Sequence, residues 1–393
     1  MSDTTRTIAA NKIRGFLKKN IHKFIIRDTG NIENRIENNN KILFNFANTD
    51  SKSKDYCMNF DEKIGVFTIK NNGNDVILEQ QIGSESVNGI IFKSKFKNDH
   101  DLSFATKVII GGPGRAGEDN EHELNVLKIL SKPVLEGKCP HFPILFKTLR
   151  CLKFNTILDE KDKEFDYYPD LITNNLDEEF MFLFNELANG DLKSFMRKNF
   201  TETALIQNAL AQVFLSLMFF YHYTGNIHND AHWGNFLFHK IIPGGYFHYK
   251  ILGVDYYVEN LGYLWVIWDF SRSVNYKWNQ VMDTDFVKII NAFYNDKKTF
   301  PRSHNELEGW VSRSNKMDKT FKESIVSMFK EMFVNIDKRP EDIRANLSYN
   351  PKKMERYMEW ILSILVKNNF LLTSISPSHK LINSTPYTIE KIK

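Results

Sequence analysis

Cysteine is scarce in this chain: there are three, Cys57, Cys139 and Cys151, among 393 residues. They form no motif typical of a metal site or of redox catalysis. A sparse and odd set of cysteines predicts reduced thiols in a cytosol-like compartment, and it argues against a disulfide-rich secreted scaffold. The core must therefore form by apolar packing, for which this length and a hydrophobic content of 42% are sufficient.

Long hydrophobic runs are also missing. The first residues, MSDTTRTIAANKIRGFLKK, contain no apolar core of a signal peptide. The longest apolar stretch, Ala209 to Tyr221, is interrupted by Gln212 and Ser216 and is too short to span a membrane, so it predicts a buried helix. The formal net charge of +4 is a mild excess that gives no argument for nucleic acid binding.

Residues 1–75 are predicted to form an N-terminal appendage. Within it lies a basic segment, NKIRGFLKKNIHKFII, whose apolar side chains fall on one face of an amphipathic helix. Residues 13–26 loosely resemble a calmodulin-binding IQ motif, through Ile13, Arg14, Lys18, Lys19, Lys23 and Ile26. This resemblance implies a calmodulin-like partner, and a basic helix docked on the rest of the protein is the alternative.

From Val76 onward the pattern changes to short strands followed by helices. Predicted strands are DVILEQQIG, GIIFKSKF, SFATKVII and FMFLFNEL, and a predicted helix is EHELNVLKIL. After ANGDL the chain is mainly helical, with a long apolar helix stopped by Gly225 and then a hairpin-like segment, YFHYKILGVDYYVENLGYLWVIWDF. Strands first and helices later predict an α+β fold. The predicted units are residues 76–190, residues 191–372 and a C-terminal tail of residues 373–393.

Polar residues with a specific spacing interrupt the apolar segment IHNDAHWGNFL. Asp230 and Asn235 lie on one predicted tight loop, and Asp269, in WDF, follows a predicted strand. Phosphoryl transfer needs a base near the acceptor hydroxyl, oxygen ligands for a metal ion, a cation on the nucleotide phosphates and a holder for that cation. Asp230 supplies a carboxylate base, while Asn235 and Asp269 offer the oxygen ligands that Mg²⁺ prefers.

These residues resemble the motifs of the protein kinase superfamily. HNDAHWGN resembles the catalytic loop H-x-D-x-x-x-x-N, and DFS resembles D-F-G. FATKV resembles the strand that carries the phosphate-binding lysine, here Lys107, and the next predicted helix offers Glu123 or Glu121 as its partner. The apolar residues that follow, Val126, Leu127 and Leu130, favour Glu123. The resemblance covers roughly Val76 to Ala292. It implies a bilobal fold, with a small antiparallel β lobe containing one helix and a larger, mainly helical lobe.

Nucleotide-binding residues follow from the same resemblance. IGSESVNGIIF lies where the glycine-rich loop is expected, which assigns to the nucleotide Gly83, Ser84, Ser86 and Gly89. Asp191 lies at the position of a ribose-binding acid, with an ordinary helix N-cap as the alternative. Glu85 and Asn88 replace two glycines of the loop, which predicts a modest affinity for ATP because glycine allows the backbone to approach phosphates closely.

Other positions depart from the kinase pattern. Asn229 precedes Asp230 where an arginine usually contacts a phosphorylated loop, which predicts activity without loop phosphorylation. His232 replaces the usual lysine of serine/threonine kinases. Asp285 is interpreted either as the acid that holds the catalytic-loop backbone or as an exposed acid at a helix start. The aromatic hairpin before DFS resembles the kinases of large DNA viruses, the giant-virus and poxvirus-like branch.

The resemblance implies an ATP-dependent phosphotransferase acting on Ser and Thr hydroxyls of proteins, with ATP and Mg²⁺, or Mn²⁺ in its place, as cofactors. The alternatives are a small-molecule kinase of the aminoglycoside- or choline-kinase type and a pseudokinase that only binds. The expected partner is a protein substrate and not a nucleic acid, and no membrane span is expected. The expected location is cytoplasmic, meaning host cytoplasm or virion for a viral protein.

Overall fold

The computed structural model describes residues 32–46, 57–61, 66–71, 74–82, 89–112, 115–151, 179–275, 285–286, 288–289, 318–334 and 351–391. The predicted basic helix at residues 13–26 and the predicted glycine-rich loop at residues 83–88 lie outside them. The fold is α+β, as predicted, with mostly antiparallel sheets and several helices.

The described helices are α1 (Ile32–Asn45), α2 (Arg115–Leu135), α3 (Leu192–Asn199), α4 (Thr203–Thr224), α5 (Lys319–Phe329), which continues as the π-helix Lys330–Val334, and α6 (Pro351–Lys367). The strands before α3 are β1 (Met58–Asp61), β2 (Val66–Ile69), β3 (Val76–Gln81), β4 (Ile90–Phe96), β5 (Asp99–Ile110), β6 (Leu145–Cys151), β7 (Phe180–Asn185) and β8 (Gly190–Asp191). Those after α4 are β9 (Asn226–Ile227), β10 (Phe236–Lys240), β11 (Tyr246–Ile251), β12 (Val254–Glu259), β13 (Tyr263–Ile267), β14 (Val274–Asn275) and β15 (Tyr387–Ile389).

The first seven strands form one antiparallel sheet in the order β1-β2-β3-β4-β5-β7-β6. Along β4 buried and half-buried residues alternate, because successive side chains of a strand point to opposite faces. All six residues of β7 are buried, so both faces of this strand are covered. Phe46, directly after α1, contributes to this cover, with its ring 4.9 Å from that of Phe96 and 4.7 Å from that of Phe184.

The sheet begins earlier in the chain than the predicted boundary at residue 76. Strands β1 and β2 belong to it, and α1 packs on it, although all three lie within the segment that we predicted as an appendage. Phe67, Thr68 and Ile69 of β2 pair with Leu78, Ile77 and Val76 of β3. The sheet therefore extends to residues that come before Val76 in the chain. The N-terminal elements that the structure describes are therefore part of the same hydrophobic core.

Two of the cysteines are not reduced thiols, so our prediction for them is wrong. Cys57 and Cys151 form a disulfide with their Cα atoms 5.7 Å apart, and Cys139 alone is free. Cys57 precedes β1 and Cys151 ends β6, and these are the first and last strands in the sheet order. The two sheet edges therefore meet at this bond, a proximity that a separation of 94 residues conceals in the sequence.

Helix α4 is the core helix of the second part of the chain. Among the described helices it alone is long and apolar enough to cross a membrane, but 78% of its most apolar window is buried inside the protein. It ends as predicted at Gly225, which has a φ of 63° and donates its N–H to the carbonyl of Tyr221. Its buried Gln212 donates to the carbonyl of Tyr263 and accepts from the N–H of Trp265, which attaches β13 to the helix.

The predicted hairpin is present as β11 and β12, joined by a two-residue turn at Leu252 and Gly253, both with positive φ. Strand β15, from the tail that we predicted as residues 373–393, pairs in parallel with β11. A second small sheet has the order β13-β10-β8, and β14 pairs with β9. These short sheets position the ends of β9, β10 and β13, and the polar motifs lie at those ends.

Candidate active site

Lys107, Glu123 and Asp269 meet in the structure although they are distant in sequence. Lys107 on β5 places its Nζ 2.6 and 2.7 Å from the two carboxylate oxygens of Glu123 on α2. The same Nζ lies 3.4 Å from Oδ1 of Asp269, a residue 162 positions later. The Lys107 and Glu123 side chains are 3% and 0% exposed, while Asp269 is 24% exposed. The cluster is thus buried on the helix side and open at Asp269.

The charges in this cluster shift one another's pKa values. Burial opposes the charge on Lys107, but Asp269 and Glu123 outweigh it and raise the pKa of its ammonium group. Burial raises the pKa of Glu123 to about 7, although Lys107 acts in the opposite direction. For Asp269 burial is outweighed by Lys107 and by a hydrogen bond from Ser271, which lower the pKa to about 2. Asp269 is therefore an anion at neutral pH and available to bind a cation.

Glu123 and not Glu121 is the partner of Lys107. Glu121 forms an ion pair with Arg150, whose other nitrogen donates to Glu179 at 2.8 Å. The preference for Glu123 came from the apolar spacing of the helix, and the geometry agrees with it.

Asp285 holds the backbone of the loop that carries Asp230. Its carboxylate accepts hydrogen bonds from the N–H groups of His228 at 2.7 Å and Asn229 at 2.9 Å, and from the hydroxyl of Tyr221 at 2.8 Å. Asp285 is 1% exposed, which excludes the alternative of an exposed acid at a helix start. Asn229 has a φ of 61°, and these bonds support that uncommon backbone conformation.

His228 connects the two acidic motifs. Its Nε2 donates to the carbonyl of Trp268 at 3.0 Å, directly before Asp269, and its Nδ1 accepts from the N–H of Asp230 at 3.3 Å. The ring is buried and lies beside those of Phe220 and Phe270. With both ring nitrogens hydrogen-bonded, His228 sets the spacing between the Asp230 loop and the Asp269 turn.

Asn235 and Asp269 are the candidate metal ligands. Nδ2 of Asn235 donates to the carbonyl of Asp230 at 2.9 Å, so the amide oxygen is the group that this side chain offers to a cation. The carbonyl of Asn235 accepts from the N–H of Trp268, which ties the two ligands to neighbouring strands. No three His, Cys, Asp or Glu side chains converge on one point in the described part of the chain. A site with one carboxylate and one amide suits Mg²⁺, which completes its shell with water and phosphate oxygens.

Asp230 lies at the open side of the site. One carboxylate oxygen is 3.7 Å from Nε2 of His232, which carries a charge only when protonated, and the other is 3.9 Å from Nη1 of Arg272, at the outer limit of an ion pair. Burial lowers the pKa of His232, against the attraction of Asp230. Asp230 is 22% exposed and accessible to an acceptor group.

The remaining predicted nucleotide residues divide into three cases. Gly83, Ser84 and Ser86 lie outside the described residues. Gly89 has a φ of 139°, and a Cβ there would be 2.6 Å from Ile109 and 3.4 Å from the Lys107 side chain, so glycine is required beside the lysine. Asp191 caps helix α3, where its Oδ1 accepts from the N–H of Ser194 at 2.7 Å. The N-cap interpretation of Asp191 is therefore confirmed, and its role toward a ribose stays a prediction.

Two contacts at the border of the site were missed by the sequence analysis. His122, next to Glu123, lies 2.9 Å from the hydroxyl of Ser273 and so links α2 to the turn after Asp269. The chain entering α3 is held by Glu186, which binds Arg35 of α1 at 2.7 Å. Neither pair has a motif, because each joins residues more than 150 positions apart.

A scan of the chain against protein-family models gave no match, and a search of curated proteins gave none either. The interpretation of the site therefore depends on the chemistry and geometry of its own residues.

Proposed function

We propose that this protein is an ATP- and Mg²⁺-dependent phosphotransferase with a bilobal protein-kinase-like fold, acting on Ser and Thr hydroxyls of proteins. The observation that carries the proposal is the position of the Lys107 ammonium group, 2.6 Å from Glu123 and 3.4 Å from Asp269. A buried lysine braced by one carboxylate and directed at a second is the arrangement that binds nucleotide phosphates beside a metal ion. In this proposal the seven-stranded sheet with α1 and α2 is the small lobe.

The residues divide the work of phosphoryl transfer as follows. Lys107, held by Glu123, binds the α- and β-phosphates. Asn235 and Asp269 would hold Mg²⁺, which neutralises phosphate charge when bound. Asp230 orients the acceptor hydroxyl, whose oxygen forms a bond to the γ-phosphorus while the bond to the departing ADP oxygen breaks, and the hydroxyl proton passes to the Asp230 carboxylate. Positioning and charge stabilisation account for the rate, and the enzyme forms no covalent intermediate.

The decisive experiment is transfer of radiolabelled γ-phosphate from MgATP to a panel of acceptors. The panel contains a basic protein, an acidic protein and small hydroxyl and amine compounds. We expect label on Ser and Thr of protein acceptors. We also expect Lys107→Met, Asp230→Asn and Asp269→Ala to lower kcat at least about a hundredfold, because each removes a positioning or charge-stabilising group.

Matched controls are Lys93→Met, a lysine of the same sheet in a surface ion pair, and Asp101→Asn, an exposed acid on β5. Both should retain wild-type activity. Label on small acceptors alone would replace the protein-kinase proposal with a small-molecule kinase. Binding of MgATP without transfer would indicate a pseudokinase, and labelling that survives Asp230→Asn would identify a contaminant as its source.

A further inference from the structure

Arg35 on helix α1 is a buried cation outside the candidate site, and its guanidinium group donates four hydrogen bonds. Its guanidinium group is 0% exposed. Nε and Nη2 donate to the two carboxylate oxygens of Glu186, both at 2.7 Å. Nη1 donates to the carbonyl of Pro140 at 2.6 Å and Nη2 to that of Phe142 at 2.5 Å. A bidentate pair of this kind sets both distance and orientation.

The two carbonyls belong to the loop between α2 and β6, and that loop is also bonded to strand β13. The carbonyl of His141 accepts from the N–H of Ile267 at 3.0 Å. Nδ1 of His141 donates to the carbonyl of Trp265 at 2.7 Å, and its Nε2 contacts the hydroxyl of Tyr249 at 3.0 Å. Strand β13 ends two residues before Asp269. One loop therefore lies between Arg35 and the strand that delivers the candidate metal ligand.

Glu186 fixes the other side of this junction. Its carboxylate also accepts from the N–H of Ile144 at 3.0 Å, and its own N–H donates to the carbonyl of Ile144 at 3.0 Å. Three residues later the N–H of Asn189 donates to the carbonyl of Phe238 on β10. Residues 186–189 are thus anchored at both ends, between β7 and the start of α3.

We propose that Arg35 is a positioning residue for the nucleotide site: through Glu186 and the 140–142 loop it sets the placement of residues 186–189 relative to β13. This inference rests on the proposed function, in which Lys107 binds the nucleotide phosphates. Strand β7, which leads directly into Glu186, pairs with β5 so that Leu183 lies opposite Lys107. The inference assigns a role in nucleotide binding to α1, a helix outside the part of the chain that carries the kinase motifs. Arg35 touches no reacting atom, so its loss should weaken MgATP binding more than it slows transfer.

The test compares Arg35→Lys, Arg35→Met and Glu186→Gln with wild type and with the control Arg356→Met, an exposed arginine of α6 that forms an ion pair with nearby Glu359. Lysine retains the charge but not the planar fork that reaches two carboxylate oxygens and two carbonyls. KM for MgATP, kcat and MgATP affinity by calorimetry are measured at a temperature where circular dichroism shows each variant folded.

We expect Arg35→Lys and Glu186→Gln to raise KM for MgATP and the Kd about tenfold, since small misplacements of a binding segment have large effects, with kcat little changed. Arg356→Met should match wild type. A purely structural role would lower the melting temperature and leave KM for MgATP unchanged in the folded variants, and that result would overturn the inference. If Arg35→Met does not fold, the two milder variants decide.

The outcomes also separate this inference from the proposed function. Wild type that binds no MgATP would remove both. Wild type that binds MgATP and transfers phosphate, together with Arg35 variants that bind it equally well, would remove only the role of Arg35.

Discussion

Two buried ion pairs attach helices α1 and α2 to the rest of the protein, and they differ in how their cations are used. Arg35 has Nε, Nη1 and Nη2 engaged, by both oxygens of Glu186 and by two backbone carbonyls. Lys107 is bound by both oxygens of Glu123, but a second carboxylate, Asp269, lies only 3.4 Å away. The first cation is balanced by one carboxylate, whereas the second faces two.

The pKa values of Glu186 and Glu123 are shifted in opposite directions, in line with the different number of carboxylates around each cation. Burial disfavours both carboxylates. For Glu186 the charge and hydrogen bonds of Arg35 outweigh burial and lower its pKa. For Glu123 burial dominates and raises the pKa to about 7: Lys107 acts in the opposite direction, and the negative charge of Asp269 adds to the effect of burial. The Arg35–Glu186 pair is neutral as a whole. The Lys107 cluster carries an excess negative charge whenever Glu123 is ionised, and it is then suited to bind a further cation.

The largest expected effect is on stability and separates the two pairs directly. Arg35→Met should lower the free energy of unfolding by about 3–5 kcal/mol, because it leaves a buried carboxylate and two carbonyls without their donor. Lys107→Met should lower it clearly less, since Glu123 can take up a proton near neutral pH. Urea unfolding at neutral pH measures both values. Equal losses would mean that the two pairs do not differ as we argue.

A smaller effect is expected for a third buried charge, Asp285, whose carboxylate accepts hydrogen bonds from two backbone N–H groups and from the hydroxyl of Tyr221. Asp285→Asn replaces one accepting oxygen by an N–H₂ group, which then faces either the N–H of Asn229 or the donors of His228 and Tyr221. We expect a loss of about 1–3 kcal/mol in the free energy of unfolding, and a lower kcat because the Asp230 loop loses its support. Urea unfolding and the transfer assay measure the two quantities. Asp101→Asn is the control, and unchanged stability and kcat for Asp285→Asn would contradict this account.

The pH dependence of stability should report on His239, which lies near Glu186. Burial lowers the pKa of His239 from 6.5 to about 4, and burial does the same for His141. Above 6.5 the stability from the neutral histidine is fully present, and it is lost as pH falls toward about 4, because the unfolded chain binds the proton first. In that window each histidine should contribute up to about 1.4 kcal/mol per pH unit.

His239→Leu removes this titrating group, so the free energy of unfolding should depend less steeply on pH. The substitution also removes the buried Nδ1, which has no hydrogen-bond partner among the described residues. Exposed His379→Leu serves as the control and should leave the slope unchanged. An identical slope in His239→Leu and wild type would show that this histidine is not buried as a neutral group.

The smallest expected effect is that of phosphatase treatment, which should leave activity unchanged. Hydrogen bonds that involve no phosphate hold the turn after Asp269: Asn229 donates to the carbonyl of Arg272 at 3.3 Å, and the His122 ring is 2.9 Å from the hydroxyl of Ser273. Val274 and Asn275 also pair with β9. Transfer activity before and after phosphatase, with heat-inactivated phosphatase as the control, tests this, and a large loss would contradict it.

His122→Ala should have a larger effect, because it removes the hydrogen bond to Ser273. We expect it to raise the activation free energy of phosphate transfer by about 1 kcal/mol, which lowers the rate roughly fivefold.

Local patterns were sufficient for the elements around the candidate site. The end of α4 at Gly225 and the β11–β12 hairpin depend on backbone preferences that act over a few residues, and both are present as predicted. The spacing of Asp230 and Asn235 is also local, since one tight loop carries both. The choice of Glu123 over Glu121 followed from the apolar face of α2, because the buried face must contain the residue that reaches Lys107.

Long-range contacts were beyond the reach of those patterns. The bond between Cys57 and Cys151 closes a sheet whose two edges are 94 residues apart, and the sequence carried no sign of that closure. Arg35 looked like one of several charges in an appendage, yet it is completely buried. A charged residue is stable inside a protein only where its partners converge on it, and convergence is a property of the folded chain.

By itself the sequence determined which side chains have the right chemistry, because residue type and short spacing are written in it: a lysine on a strand, an Asp and an Asn on one loop, and an Asp after a strand. Only the tertiary structure decided that Glu123 and Asp269 meet at Lys107, that His228 bonds the Asp230 loop to the turn before Asp269, and that Arg35 of a helix from the N-terminal region binds Glu186. The physical reason is that hydrogen bonds and ion pairs act over a few ångströms in space, whatever the separation of their residues along the chain.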